Sequence, residues 1–128
     1  MPWEIVRIRM LERLHARGFN DLDAPHLNVL QYPGPHNSRP SDLAGRLRMS
    51  KQALNYQLGE LERLGYIERR ADPEDLRSRR IVLTRRGHAV VRVMRESVAA
   101  TEREWAKALG AKRFDQLRAL LIELNELP

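Results

Sequence analysis

Gln52 and Asn55 carry side-chain amides three residues apart in the run Ser50-Lys51-Gln52-Ala53-Leu54-Asn55-Tyr56. A carboxamide offers a donor and an acceptor side by side, a pair that matches the adenine edge exposed in the major groove of a duplex. Helical spacing puts positions 52, 55 and 56 on one face. Lys51 suits a guanine edge or a phosphate. The Ser50 hydroxyl either donates to a base or caps the helix and leaves backbone N–H groups for a phosphate. Tyr56 can stack on a sugar or bond a phosphate. Further along, Arg77 stands near the tip of the loop ADPEDLRS, and Arg79 and Arg80 follow it. Strand side chains alternate, so of these two one faces outward, Arg79 being the candidate contact, while the other pairs within the loop. Asp75 is the expected internal partner that steadies the arginines. Arg77 is the best candidate to enter a minor groove. The competing reading of the same residues is an ordinary solvated surface.

The elements that must position these groups are legible from apolar spacing and punctuation. Leu54, Leu58 and Leu61 fall at i, i+4 and i+7, which buries the face opposite the amides. Ser50 is the expected N-cap of that helix and Gly65 its left-handed stop. A shorter helix precedes it, capped by Ser41 and facing inward with Leu43, Ala44 and Leu47. Only Arg48 and Met49 separate the two, the tight turn of a helix-turn-helix. Tyr66–Arg70 and Arg79–Leu83 read as two short strands joined by the Asp- and Pro-rich loop. Upstream, a helix is expected over Trp3–Arg17, and a second runs from an Asp23 cap with Pro25 in its first turn to Tyr32. Residues 33–40 form a loop, because Pro33-Gly34-Pro35 cannot continue a helix. Downstream, Thr84 caps a long helix to Leu109, Gly110 breaks it, and Phe114, Leu117, Leu120, Leu121 and Leu124 mark a final helix.

Charge agrees with this placement. Of the chain's net +6, five units lie between His36 and Arg86, where twelve Lys and Arg face seven Asp and Glu. A local basic excess is the electrostatic footprint of a nucleic-acid contact. Twenty of the 23 basic residues are Arg. That preference extends into the flanks, as codon bias would produce, so the clustering is the better signal. The 128 residues suit a single subunit, and 42% hydrophobic with 31% charged residues fits a globular chain. With no cysteine, disulfides and thiol chemistry are excluded. No apolar run approaches the ~20 residues of a membrane span, and the charged N-terminus MPWEIVRIRM is not a signal peptide. A cytoplasmic location is the expectation.

In combination, Leu54–Leu58–Leu61-Glu62 with Gly65 and Ile67, the loop Asp72-Pro73-x-Asp75-x-Arg77, and Leu83-Thr84-x-x-Gly87 resemble the MarR family of bacterial winged helix-turn-helix regulators. The match is good over about residues 25–90, and the outer helices resemble the family by pattern only. The resemblance implies a mainly α fold with a small β-hairpin wing, an obligate homodimer, a pseudo-palindromic duplex operator and often a small-molecule effector. It places base or backbone contacts at Ser50, Lys51, Gln52, Asn55 and Tyr56, with Arg77 in the minor groove. The expected organisation is a single subunit over 1–128, with a winged lobe over 25–87 and a helical dimerisation region over 1–20 and 88–128. Leu76 departs from the basic residue common at its position, and the PGPHN loop replaces the end of a helix.

An enzyme is not expected. His15, His26, His36 and His88 are scattered without metal-ligand spacing, and Gly59, Gly65 and Gly87 are isolated, so no phosphate loop forms. No cofactor or metal is implied. Trp3, His15, Tyr32 and Trp105 are candidates to line an effector pocket, although aromatic residues at helical spacing are more commonly core. Two other functions fit the same face: non-specific DNA or RNA binding without an operator, and a protein-interaction module whose wing grips an acidic partner.

Overall fold

A computed structural model describes residues 2–31 and 33–127 of the chain, with the side chains of Pro2 and Trp3 left aside. Its elements run α1 (Pro2–Ala16), α2 (Ala24–Leu30), α3 (Pro40–Leu47), α4 (Lys51–Arg63), β1 (Ile67–Ala71), β2 (Arg79–Leu83), α5 (Arg85–Leu109) and α6 (Ala111–Asn125). The expected order of four helices, a hairpin and two helices is the order found.

Local chemistry sets most of the boundaries. The Ser50 hydroxyl accepts the Ala53 N–H at 3.1 Å and starts α4. Thr84 does the same for α5 by accepting from Gly87 N–H at 3.0 Å, while its own hydroxyl donates to the Gly65 carbonyl at 2.6 Å. At α2, the ring of His26 accepts the Asp23 N–H at 2.9 Å, a task usually performed by a Glu or Gln side chain. One expected cap is corrected. Helix α3 begins at Pro40 with Arg39 as its N-cap, because proline's fixed φ already suits the first helical position and Ser41 falls inside the helix.

The hairpin pairs antiparallel from Ile67↔Leu83 to Ala71↔Arg79. Its outer edge is covered. The Asn37 N–H donates to the Ile81 carbonyl at 2.7 Å, the Ile81 N–H donates to the Ser38 carbonyl at 2.9 Å, and the Leu83 N–H donates to His36 Nδ1 at 3.1 Å. The expected 33–40 loop is thus, in its second half, a strand-like edge on β2, which answers the cost of leaving a sheet edge unpaired.

One core runs through the molecule. Leu14, Leu22, Leu30, Leu43, Leu54, Leu58, Leu61, Ile67, Ile81 and Val90 are essentially inaccessible to solvent, and each such side chain contributes about 1.5–3 kcal/mol relative to exposure. Helix α1 packs along α5, and α2, α3 and β1 close around α4. A polar knot, partly open to solvent, joins the parts around the buried Tyr66. The Tyr66 hydroxyl donates to Asp21, and the Arg86 guanidinium lies 4.3 Å above the Tyr66 ring while donating to Asp21 and to the Leu64 carbonyl. Burial and the bond to Asp21 together push the Tyr66 hydroxyl above its usual range.

Candidate nucleic-acid interface

Helix α4 turns Leu54, Leu58 and Leu61 into the core and leaves Ser50, Lys51, Gln52, Asn55 and Tyr56 exposed. The face expected from the sequence is the face that is free. Tyr56, 65% exposed, is not idle there. Its hydroxyl donates to Glu60 at 3.0 Å, and that bond, with Arg63 beside it, holds the Glu60 carboxyl below its ordinary value. A small cleft lined by Pro40, Ser41, Lys51, Leu54 and Asn55 brings the start of α3 against the start of α4.

Gly59 has a specific neighbour. The terminal nitrogen Nη2 of Arg69 lies 4.0 Å from where a Cβ would stand, and it donates to the Asn55 carbonyl at 3.4 Å. Arg69 therefore braces α4 from β1, whereas Arg70 is exposed and pairs with Glu68 at 2.8 Å.

In the wing, Arg77 and Leu76 are both exposed, Leu76 to 81%. No positive charge stands at position 76 to supplement Arg77. Arg79 faces solvent and Arg80 faces inward, as strand alternation requires. The inward partner is a correction. Asp75 does not hold the arginines; it shapes the turn, accepting the Arg77 N–H at 3.1 Å and the Ser78 hydroxyl at 3.3 Å. The arginines converge on Asp72, which is fully buried. Arg39 Nε donates to it at 2.8 Å, Arg80 Nε lies 3.2 Å away, and the Glu74 N–H donates at 3.0 Å. The Glu74 N–H bond, then the two guanidiniums, hold the Asp72 carboxyl below the usual carboxylate range despite burial. A buried carboxylate needs such partners, and which acid is buried cannot be read from a loop containing three of them.

The sequence of this chain matches a family model described as the MarR family over residues 17–78. The transcriptional repressor MprA of Escherichia coli is 32% identical to it over 119 residues, spanning 89% of this chain and 67% of that protein. The chain belongs to the MarR family. It is accordingly a DNA-binding regulator of transcription built on a winged helix-turn-helix. Among solved structures, apo MarR of E. coli matches 100% of this chain and 92% of its own with a TM-score of 0.73 and 26% identity. A MepR variant of S. aureus bound to an oligodeoxyribonucleotide shares the fold, with a TM-score of 0.64, 21% identity, and 94% and 88% coverage.

Between α1, α2, α5 and α6 lies an apolar cavity of about 610 Å³, lined by Met10, Leu30, Val91, Met94 and Val98, with Arg95, Glu102 and Arg118 at its polar side. This cavity does not gather the expected pocket residues. His15 is exposed and donates to the Leu22 carbonyl at 2.9 Å, and Trp105 borders a separate groove with Arg9 and Glu104. Trp3's side chain and Tyr32 lie outside the described residues. The apolar part of its lining is aliphatic and sulfur side chains, which carry no sequence signature distinct from ordinary core. No helix among the described residues is long and apolar enough to cross a membrane.

Proposed function

We propose that the protein is a sequence-specific repressor that acts as a homodimer on a pseudo-palindromic duplex operator and is relieved by a small-molecule effector. The observation that carries the reading is the exposed Lys51–Gln52–Asn55–Tyr56 face of α4 beside an arginine-bearing wing braced by the buried Asp72. Gln52 and Asn55 read base edges in the major groove, Lys51, Tyr56 and Arg79 engage the backbone, and Arg77 enters the minor groove. Two copies related by a two-fold axis put two α4 helices about 34 Å apart, in successive major grooves. The exposed Leu117, Leu120, Leu121 and Leu124 of α6 and Ile5 and Ile8 of α1 supply an apolar surface for that association. The 610 Å³ cavity offers an effector room for an apolar body with an acidic end toward Arg95, since Arg118 is already paired with Glu102 at 3.8 Å. MprA, a relative of this chain, is a transcriptional repressor.

Selection from a random duplex library tests the reading: a two-fold symmetric sequence is expected, and recovery of unenriched sequence would sink the operator. On the selected duplex, Gln52→Ala and Asn55→Ala should each cost about 1–3 kcal/mol and relax preference at one base pair per half-site.

A further inference from the structure

Arg39 is the N-cap of α3, a position at which arginine has no capping chemistry, and its side chain turns instead to the wing. Its Nε is bonded to the buried Asp72 at 2.8 Å, which fixes the plane of the guanidinium, yet the side chain remains 38% exposed. Among the described residues no acceptor takes up its two Nη groups, whereas Arg80, the other arginine on Asp72, spends Nη1 on the Asn37 carbonyl at 2.9 Å. Arg80 also has the Glu74 carboxylate 3.9 Å from its Nη2, whereas Asp72 is the one carboxylate that pairs with Arg39 among the described residues. Asp42 and Asp75 stand near enough to favour the charged form of Arg39 but do not bond it.

Its location is equally specific. The next residues in the chain, Pro40 and Ser41, border the cleft shared with Lys51 and Asn55 at the reading end of α4. On its other side Arg39 touches the root of the wing through Asp72. When a recognition helix occupies a major groove and a wing the adjacent minor groove, one sugar–phosphate strand must cross between them. Arg39 stands between those two elements.

We propose that Arg39, held rigid by Asp72, is a phosphate contact on the strand that separates the two grooves. The planar fork left by its Nη pair matches two phosphate oxygens, and because Nε is already anchored little side-chain freedom is surrendered on binding. The contact adds affinity without base preference, and it joins the helix-turn-helix to the wing as one body. This inference rests on the duplex-binding reading proposed for α4 and the wing.

Salt-dependent titration of the selected duplex tests it, using Arg39→Gln, Arg77→Gln and the double variant, each checked for a native thermal transition. Removing one phosphate-binding cation lowers the slope of log affinity against log salt by about 0.9. Arg39→Gln should show that decrease with an unchanged ranking of base substitutions, and the double variant should show the decreases of both single variants together. Arg39→Lys, which keeps the charge without the fork, should retain most of the slope and bind several-fold more weakly. A wild-type slope in Arg39→Gln overturns the contact. So does a double variant no different from Arg77→Gln, which would mean that Arg39 acts only by steadying the wing. Failure of the unaltered protein to bind any duplex below about 0.1 M salt would overturn the reading on which it rests.

Discussion

Gly87 shows how one residue type is imposed by packing. Its φ is ordinary for a helix, so nothing in local conformation requires glycine there. A Cβ at this position would instead stand 2.0 Å from the Tyr66 carbonyl oxygen and 3.1 Å from Leu83 Cδ2. The same carbonyl accepts the Thr84 N–H at 3.1 Å, so the start of α5 is drawn onto the chain entering β1 and neither backbone can retreat. The Leu83-Thr84-x-x-Gly87 spacing thus has a cause: Thr84 caps α5 and Gly87 lets it approach. Gly87→Ala should destabilise the fold by about 3 kcal/mol, at the upper end of ordinary overpacking because the obstacle is backbone. Chemical denaturation measures this, and a loss under about 0.5 kcal/mol would contradict the close approach. Asp72 and Asp75 make the complementary point. Both are visible as acids in an arginine-rich loop, but their roles divide by burial, and burial is not a property of the loop's sequence.

At the scale of elements, the segment from Pro33 to Arg39 carries the largest difference from the sequence reading. Its prolines and glycine forbid helix, and that much is legible. Its seat along β2 is not, because the bonds made by Asn37 and Ser38 are backbone bonds indifferent to side-chain identity. His36 makes this edge pH-dependent. Its Nδ1 accepts the Leu83 N–H and its ring meets His88 edge-on at 4.9 Å. Burial first, and His88 second, lower its affinity for a proton below the ordinary value of 6.5. The folded form therefore binds the proton less readily than the unfolded chain. Above pH 6.5 both are neutral and nothing is lost; as the pH falls through 6.5 the unfolded chain protonates first and stability declines, levelling off once folded His36 also protonates. His36→Gln should flatten the thermal stability of the protein between about pH 7.5 and about 5. An unchanged slope in that variant would place the pH dependence elsewhere.

For the whole molecule, the question is what covers α6. It buries only Phe114 among its large apolar side chains, while Leu120, Leu121, Ile122 and Leu124 remain 54–63% exposed. A helix with that much free apolar surface marks an interaction site. If the partner is a second copy, Leu121→Glu with Leu124→Glu should give a monomer by sedimentation and weaken operator binding by about 100-fold or more, since each lobe alone engages one half-site. A double variant that still sediments as a dimer would move the interface off α6.

The features legible in the chain before folding are local: the caps at Ser50 and Thr84, the left-handed stop at Gly65, the leucine stripe that turns Gln52 and Asn55 outward, and the alternation that separates Arg79 from Arg80. Each follows from interactions within a few residues, where periodicity and side-chain chemistry suffice. Long-range packing selects Asp72 rather than Asp75 to gather the arginines, turns Arg39 from its helix to the wing, leans Arg69 on α4 at Gly59, and sets the apolar cavity among Met10, Leu30, Val91 and Met94 rather than at His15 and Trp105. Those pairings join residues distant in the chain, and their partners are chosen by burial: a charge removed from water takes whichever opposite charge the packing brings within reach.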